Sequence, residues 1–238
     1  MEKRLSDIFP IMDVENDCIL SNKGDTTVVF RAELPEIFTL SDQDYEAYHH
    51  AWVKAIRVLP KYSVLCKQDW FVQNKYRADF SKVASSFLSR NSERFFNERP
   101  YLDHSCYIFL TKMPVGRKQA TSLFSNLLRK NIVPEETLSK SAQQEFIDIA
   151  GQFKRILEDS GFVKMSRLRS TELMSQANSI GLIERYLCLN ERTEEMVYGD
   201  ICFDDDLQVG NKKCLLYTLG DVASLPGTCG SESIYDKY

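Results

Sequence analysis

Residues 18–34 read CILSNKGDTTVVFRAEL, and this stretch decides the fold. Val28, Phe30 and Ala32 alternate with Thr27, Val29 and Arg31, which is the two-residue period of a strand. Before them, Asn22-Lys23-Gly24-Asp25 supplies turn chemistry, with a glycine free to take a positive φ. The stretch therefore predicts a β-hairpin, closed by Pro35. Just beyond, Ser41 and Asp44 resemble a capping box. Tyr45, Tyr48, Trp52, Ile56 and Leu59 then share one face at helical spacing, and Pro60 ends the helix.

The same reasoning extends to the rest of the chain. YSVLCKQDWFVQN (62–74) reads as a strand, and Lys67, Gln68 and Asp69 in its middle predict a bulge or an exposed edge. A second helix places Phe80, Val83, Ala84, Phe87 and Leu88 on its buried stripe and runs on to Pro100. CYIFLT (106–111) is a further strand. From Ala142 a third helix carries Phe146, Ile149, Phe153, Ile156 and Leu157 on one face. Gly161 and Phe162 stand where a Schellman motif needs a glycine and a hydrophobic contact. TELMSQA (171–177) and LIERYLCL (182–189) are short helical segments around Gly181. MVYGDICF (196–203) and KCLLYTL (213–219) read as strands on either side of a polar turn. A hairpin followed by alternating helices and strands predicts an α+β fold, with a mixed or antiparallel sheet and helices mainly on one face. One domain over residues 1–225 is expected, with 226–238 as a linker or tail.

Composition sets broad limits. The 238 residues are 43% hydrophobic and 27% charged with a net charge of −4, ordinary values for a globular domain and unlike a nucleic-acid-coating protein. The seven cysteines form no C-x-x-C pair, and most lie in apolar runs, which predicts free buried thiols in a reducing compartment. Neither a secretory signal pattern nor an apolar run of ~20 residues is present. A cytoplasmic protein without a transmembrane segment is expected.

SCYIFLTKMPVGRKQATS (105–122) has the outline of a strand running into a phosphate-binding loop. The P-loop pattern needs two glycines five residues apart, then Lys and a hydroxyl. Here Gly116 is followed by Arg117, no glycine stands five residues before it, and Lys118 precedes Gln119. A charge asymmetry remains. Lys112, Arg117, Lys118, Arg129 and Lys130 are the charged residues of 112–130, so the rest of the chain carries −9 if the whole carries −4 and this segment +5. The segment reads either as a docking patch for an acidic partner, a nucleic-acid backbone or anionic lipid, or as a solvated connection. Asp103, His104 and Ser105 are adjacent in sequence and therefore point in different directions, unlike a catalytic triad. His49 and His50 have no metal-ligand spacing, and the carboxylates of DDDLQVG lack the EF-hand alternation. Arg167 and Arg169 are too commonplace a pair to mark an anion site. Trp52 and Trp70 read as core. The residues assemble no catalytic, metal or cofactor constellation.

CILSNKGDTTVVFRAELPEIFTLSDQDYEAYHHAWVKAIRVLPKYSVLCKQDWF resembles the N-terminal region of the TraG family of Bacteroidales-type conjugative transposons, the large ATPases of type IV secretion. LLRKNIVPEE, the helix from Ala142 to Asp159, and LIERYLCL with YGDICFDDDLQVGNKKCLLYTLGDVASLPG are similar to it in the same order, so the resemblance covers nearly the whole chain. Members are several-fold longer and carry their Walker motifs in a C-terminal motor. The resemblance thus implies a non-catalytic N-terminal docking and assembly domain that couples the motor to the DNA-transfer channel. ATP and Mg²⁺ are expected only in the motor, beyond Tyr238. The implied partners are channel components at the cytoplasmic face of the inner membrane and further copies of the chain. A stand-alone nucleic-acid-binding or adaptor module is the alternative. The net charge and the lack of basic–aromatic interleaving count against direct nucleic-acid binding.

Overall fold

β2 (Cys18–Ser21) and β3 (Thr26–Glu33) form the hairpin that residues 18–34 predict. Ser21 Oγ accepts from the N–H groups of Lys23 and Asp25 at 3.1 and 3.0 Å, and Gly24 takes φ 84°. The fold is taken from a computed structural model that describes residues 9–36, 39–76, 86–114, 140–176, 179–188, 201–202, 207–209 and 212–218. Upstream lies β1 (Ile11–Glu15), a strand the sequence does not announce. It reaches β2 through the two-residue turn Asn16-Asp17, whose φ values of 53° and 58° match the twist of a tight hairpin.

β3 is the centre of the sheet. Along one side it pairs antiparallel with β5 (Pro100–Lys112), from Thr26 opposite Lys112 to Ala32 opposite Cys106. Its other side is shared end to end: β2 covers Thr26 and Thr27, and β6 (Lys164–Arg167) covers Phe30 to Glu33. β4 (Ser63–Lys75) pairs with β5 in unbroken register over all thirteen residues and forms the sheet edge. The order is β1-β2-β3-β5-β4, antiparallel throughout. The expected edge position of β4 is found, but no bulge interrupts it; the irregularity falls instead between Ile11 and Asp13 of β1.

Val28, Phe30 and Ala32 of β3 and Cys106, Ile108 and Leu110 of β5 are buried on one face. α1 (Asp42–Arg57) and α3 (Lys140–Asp159) cover them. Ser41 caps α1 by accepting the Asp44 N–H at 3.2 Å. The buried face of α1 differs from the expected one. Ala51 and Ala55 are buried and Tyr48 and Trp52 partly so, whereas Tyr45 and Ile56 are exposed. The two alanines let the helix backbone approach the sheet, and this turns the larger side chains to its flanks. α3 buries Phe146, Phe153 and Leu157 as expected, together with Gln143 and Ala150. After it, Gly161 takes φ 78° and its N–H bonds the Glu158 carbonyl at 2.9 Å. Phe162 packs edge-on against Tyr48, with ring centroids 6.0 Å apart.

On the other face, Ile19, Val29 and Tyr107 are buried with Leu168, Leu173 of α4 (Ser170–Leu173) and Leu182 of α5 (Leu182–Cys188). Gly181 permits that packing. A Cβ there would lie 2.3 Å from the Met174 carbonyl carbon and 2.5 Å from the Leu173 oxygen. The carboxylate of Asp17, in the β1–β2 turn, caps α4 from a distance, accepting from Ser170 N at 2.6 Å and Ser170 Oγ at 2.8 Å.

Other expectations need correcting. Of the expected strand KCLLYTL only Lys213 is in a strand, and residues 214–218 are irregular. β7 (Ile201–Cys202), β8 (Gln208–Val209) and β9 (Lys212–Lys213) form a small separate sheet, with β8 inside the expected turn. Leu215, Leu216 and Tyr217 lie beyond it, irregular and exposed. The second helix, α2, spans Phe87–Glu98, and Phe87 and Leu88 are not buried but 82% and 80% exposed. Phe80, Val83 and Ala84 lie outside the described residues, as does the 226–238 tail. Cys18 and Cys106 are buried free thiols, but Cys66 and Cys202 are exposed. Among the described residues no helix is long and apolar enough to cross a membrane.

Candidate interaction surface

β5 runs six residues past its last partner on β3, and β4 follows it. Pro100–Ser105 and Trp70–Lys75 thus form a two-stranded ribbon standing beyond the three-layered body. Two strands bury little between them, so large apolar side chains placed there stay in water. Phe71 is 62% and Leu102 65% exposed, and Tyr101 is exposed beside them. α2 precedes β5 directly and contacts β4. The Tyr76 hydroxyl donates to the Glu93 carboxylate at 2.9 Å. The Arg99 guanidinium sits 3.7 Å over the Phe95 ring, and Arg94 pairs with Glu98 at 2.6 Å. Phe87, Leu88, Phe95 and Phe96 nevertheless remain exposed. An exposed group of large apolar residues on paired elements is a feature of contact surfaces.

At the base of the ribbon the sheet holds a polar cluster. Asp69 accepts from Lys67 on its own strand and pairs with His104 Nε2 at 2.9 Å across the ladder. Phe71 stacks on the His104 ring, with centroids 4.6 Å apart and planes 14° from parallel. Burial pushes the Asp69 carboxyl up, but hydrogen bonds from Lys67 and His104 outweigh it and hold it below its ordinary value. Cys106 lies opposite Asp69, and burial together with that carboxylate raises its thiol to about 11. At neutral pH it is a thiol, not the thiolate a nucleophile needs. The order is also wrong for a triad: the carboxylate stands between the thiol and the imidazole, where the base would have to be. The contacts of the cluster link β4 to β5 across the ladder. His104 finds its partner in Asp69, not in its neighbour Asp103.

The basic segment is placed only in part. Lys112, at the end of β5, donates from Nζ to the Lys61 carbonyl at 2.6 Å and lies 6.0 Å from the exposed Tyr62 ring. Arg117, Lys118, Arg129 and Lys130 lie outside the described residues. Beside Lys112 is a mostly apolar notch of about 210 Å³, lined by Thr26, Pro60, Met113, Pro114, Phe146 and Ile149. Arg167, a weak anion candidate in the sequence, is occupied in the fold. It bonds the Asn16 and Asp17 carbonyls at 2.7 and 3.2 Å, closing the gap where β2 and β6 meet end to end. His49 and His50 are exposed on α1. Among the described residues no group of three His, Cys, Asp or Glu side chains is placed to hold a metal ion.

Sequence reasoning missed Phe71 and Leu102 as surface residues and placed Phe87 and Leu88 in the core. A signal was present: Trp70, Phe71 and Val72 make the distal end of β4 apolar on both faces, next to the polar Gln73, Asn74 and Lys75 that end the strand.

Residues 1–50, which contain β1, β2, β3 and the first half of α1, match a family model described as a domain of unknown function from a B. theta gene description (DUF3875). A comparison with curated proteins found no match.

Proposed function

We propose that this chain is a docking and assembly domain of a type IV secretion conjugation ATPase of the TraG kind, with no catalytic role of its own. The observation that carries the reading is the apolar surface of the ribbon and α2, where Phe71, Phe87, Leu88 and Leu102 are held in water on ordered elements. A docking domain must present such a surface and join it firmly to the body. Here β5 provides the join, because the strand that carries the ribbon also pairs with the central β3. The resemblance of the sequence to the family along nearly its whole length supports the same reading. So does the chemistry of the Asp69–His104–Cys106 cluster, whose thiol is held protonated.

In this reading ATP and Mg²⁺ bind in a motor domain further along a longer protein. The present domain sits at the cytoplasmic face of the inner membrane, bound to channel components. Its role is positional: it passes the motor's movement to the channel through a rigid sheet. The basic residues Lys112, Arg117, Lys118, Arg129 and Lys130 form a second contact, toward an acidic partner.

Mating assays with the full-length protein test the proposal. Leu88→Ser with Phe71→Ser, or Glu at Arg117, Lys118, Arg129 and Lys130 together, should lower DNA transfer sharply while protein level stays at wild type. Wild-type transfer by a well-expressed Leu88→Ser/Phe71→Ser protein would refute the ribbon contact. The same outcome for the four-Glu protein would refute the basic one.

A further inference from the structure

β4 closes the sheet on one side: it pairs with β5 along its whole length, and among the described residues no strand pairs with its other edge. A thirteen-residue edge without a bulge or proline is a template for another strand. Charges in mid-strand normally deter such addition. Here they are Lys67 and Asp69, two residues apart on the same face, and that spacing makes the deterrent selective.

Consider β4 pairing antiparallel with β4 of a second copy about a two-fold axis normal to the sheet. Every side chain then keeps its own face, so residue i can lie opposite residue j only if i + j is even. An axis through Lys67 sets two ammonium groups against each other, and an axis through Asp69 sets two carboxylates together. An axis through Gln68 sets Lys67 of each copy opposite Asp69 of the other. The same register places Leu65 opposite Phe71, Val64 opposite Val72 and Cys66 opposite Trp70. Val64 and Phe71, both exposed in the single chain, gain apolar partners. Lys67 already bonds Asp69 within each chain, so four charges of alternating sign would surround the axis.

We propose that two copies of this chain join edge to edge through β4, with the two-fold axis at Gln68, making one continuous antiparallel sheet. The partner is a second copy because the strand is complementary to itself in this register, and the neighbouring registers on Lys67 and Asp69 are repulsive. The pairing does not depend on the channel-docking role above, and either can fail alone.

Charge complementation in the purified 238-residue chain tests it, read by analytical ultracentrifugation. The wild type is expected to dimerise reversibly. Lys67→Glu faces Asp69 of its partner and Asp69→Lys faces Lys67, so each should weaken the homodimer about tenfold to a hundredfold. Mixing the two variants should restore dimers, because every pair across the axis is then of opposite sign. Asp69→Lys also loses the His104 contact, so a second measurement stands apart from it. Gln68→Cys places like thiols on the axis and should crosslink rapidly under mild oxidant. Val64→Cys holds its thiols about 25 Å apart in the same register and should crosslink no faster than wild type. A monomeric wild type, no recovery on mixing, or equal crosslinking at positions 64 and 68 would overturn the proposal.

Discussion

Replacing Phe87 and Leu88 with serine separates two roles that an apolar residue can have. Full burial of a Leu or Phe side chain is worth ~1.5–3 kcal/mol. At 82% and 80% exposure, about a fifth of that is realised in the folded chain, or ~0.3–0.6 kcal/mol each. The double change should therefore lower unfolding free energy by only about 1 kcal/mol, including the small loss of helix propensity. Phe153 is the contrast. It is fully buried on α3 against Trp52, ring centroids 6.2 Å apart, and Phe153→Ala should cost ~3–5 kcal/mol. The remaining four fifths of the Phe87 and Leu88 transfer energy, ~2.5–5 kcal/mol for the pair, is realised only beneath a partner. After the ordering costs of association, its loss should weaken docking by about a hundredfold. Urea unfolding followed by circular dichroism reads the stability of all three proteins. If Phe87→Ser/Leu88→Ser destabilises as much as Phe153→Ala, those side chains belong to a core and the surface reading is refuted.

Asp17 should contribute stability that depends on pH. Hydrogen bonds from Ser170 hold its carboxyl below the ordinary value, with Arg167 and Arg169 adding to the effect against burial. A lowered folded-state pKa means the contribution is fully present above the unfolded value of 3.8 and is lost as pH falls through the folded one. Asp17→Ala should cost about 1–2 kcal/mol at pH 7, discounted for partial exposure, and the gap to wild type should narrow below about pH 4. A gap that does not change with pH would contradict the ion's role. Two glycines should respond with opposite sign in thermal melts. Gly151, inside α3 with nothing within 4 Å of an added Cβ, should gain about 0.5–1 kcal/mol as alanine. Gly181→Ala drives a Cβ into the α4–α5 connection backbone and should cost more than about 2 kcal/mol.

Much of this architecture can be read from the chain because its signals are local. Asn22–Asp25 specifies the central turn, Ser41 the start of α1, and Gly161 the end of α3. The features that cannot be read depend on what lies opposite. The β1–β2 turn contains no glycine, and Asn16 and Asp17 adopt positive φ in a turn whose ends are held by Arg167 and Ser170, 150 or more residues away. Ala51 and Ala55 have little hydropathy of their own, so the periodicity of α1 points to its larger side chains while the sheet contacts its smallest. α2 has an apolar stripe as clear as that of α3. Periodicity shows which residues share a face and does not show what covers it, so Phe87 and Leu88 read as core. The Asp69–His104 pair requires the register of β4 on β5, which no local pattern encodes.

The central claim is that the ribbon and α2 meet a component of the transfer channel. A photocrosslinking residue at Leu88 of the full-length protein, irradiated in mating donor cells, tests this most directly, with the exposed Lys23 of the β2–β3 turn as control. The account predicts an adduct with an inner-membrane transfer protein from position 88 and none from position 23. No adduct at position 88, or the same adduct from both positions, would contradict it.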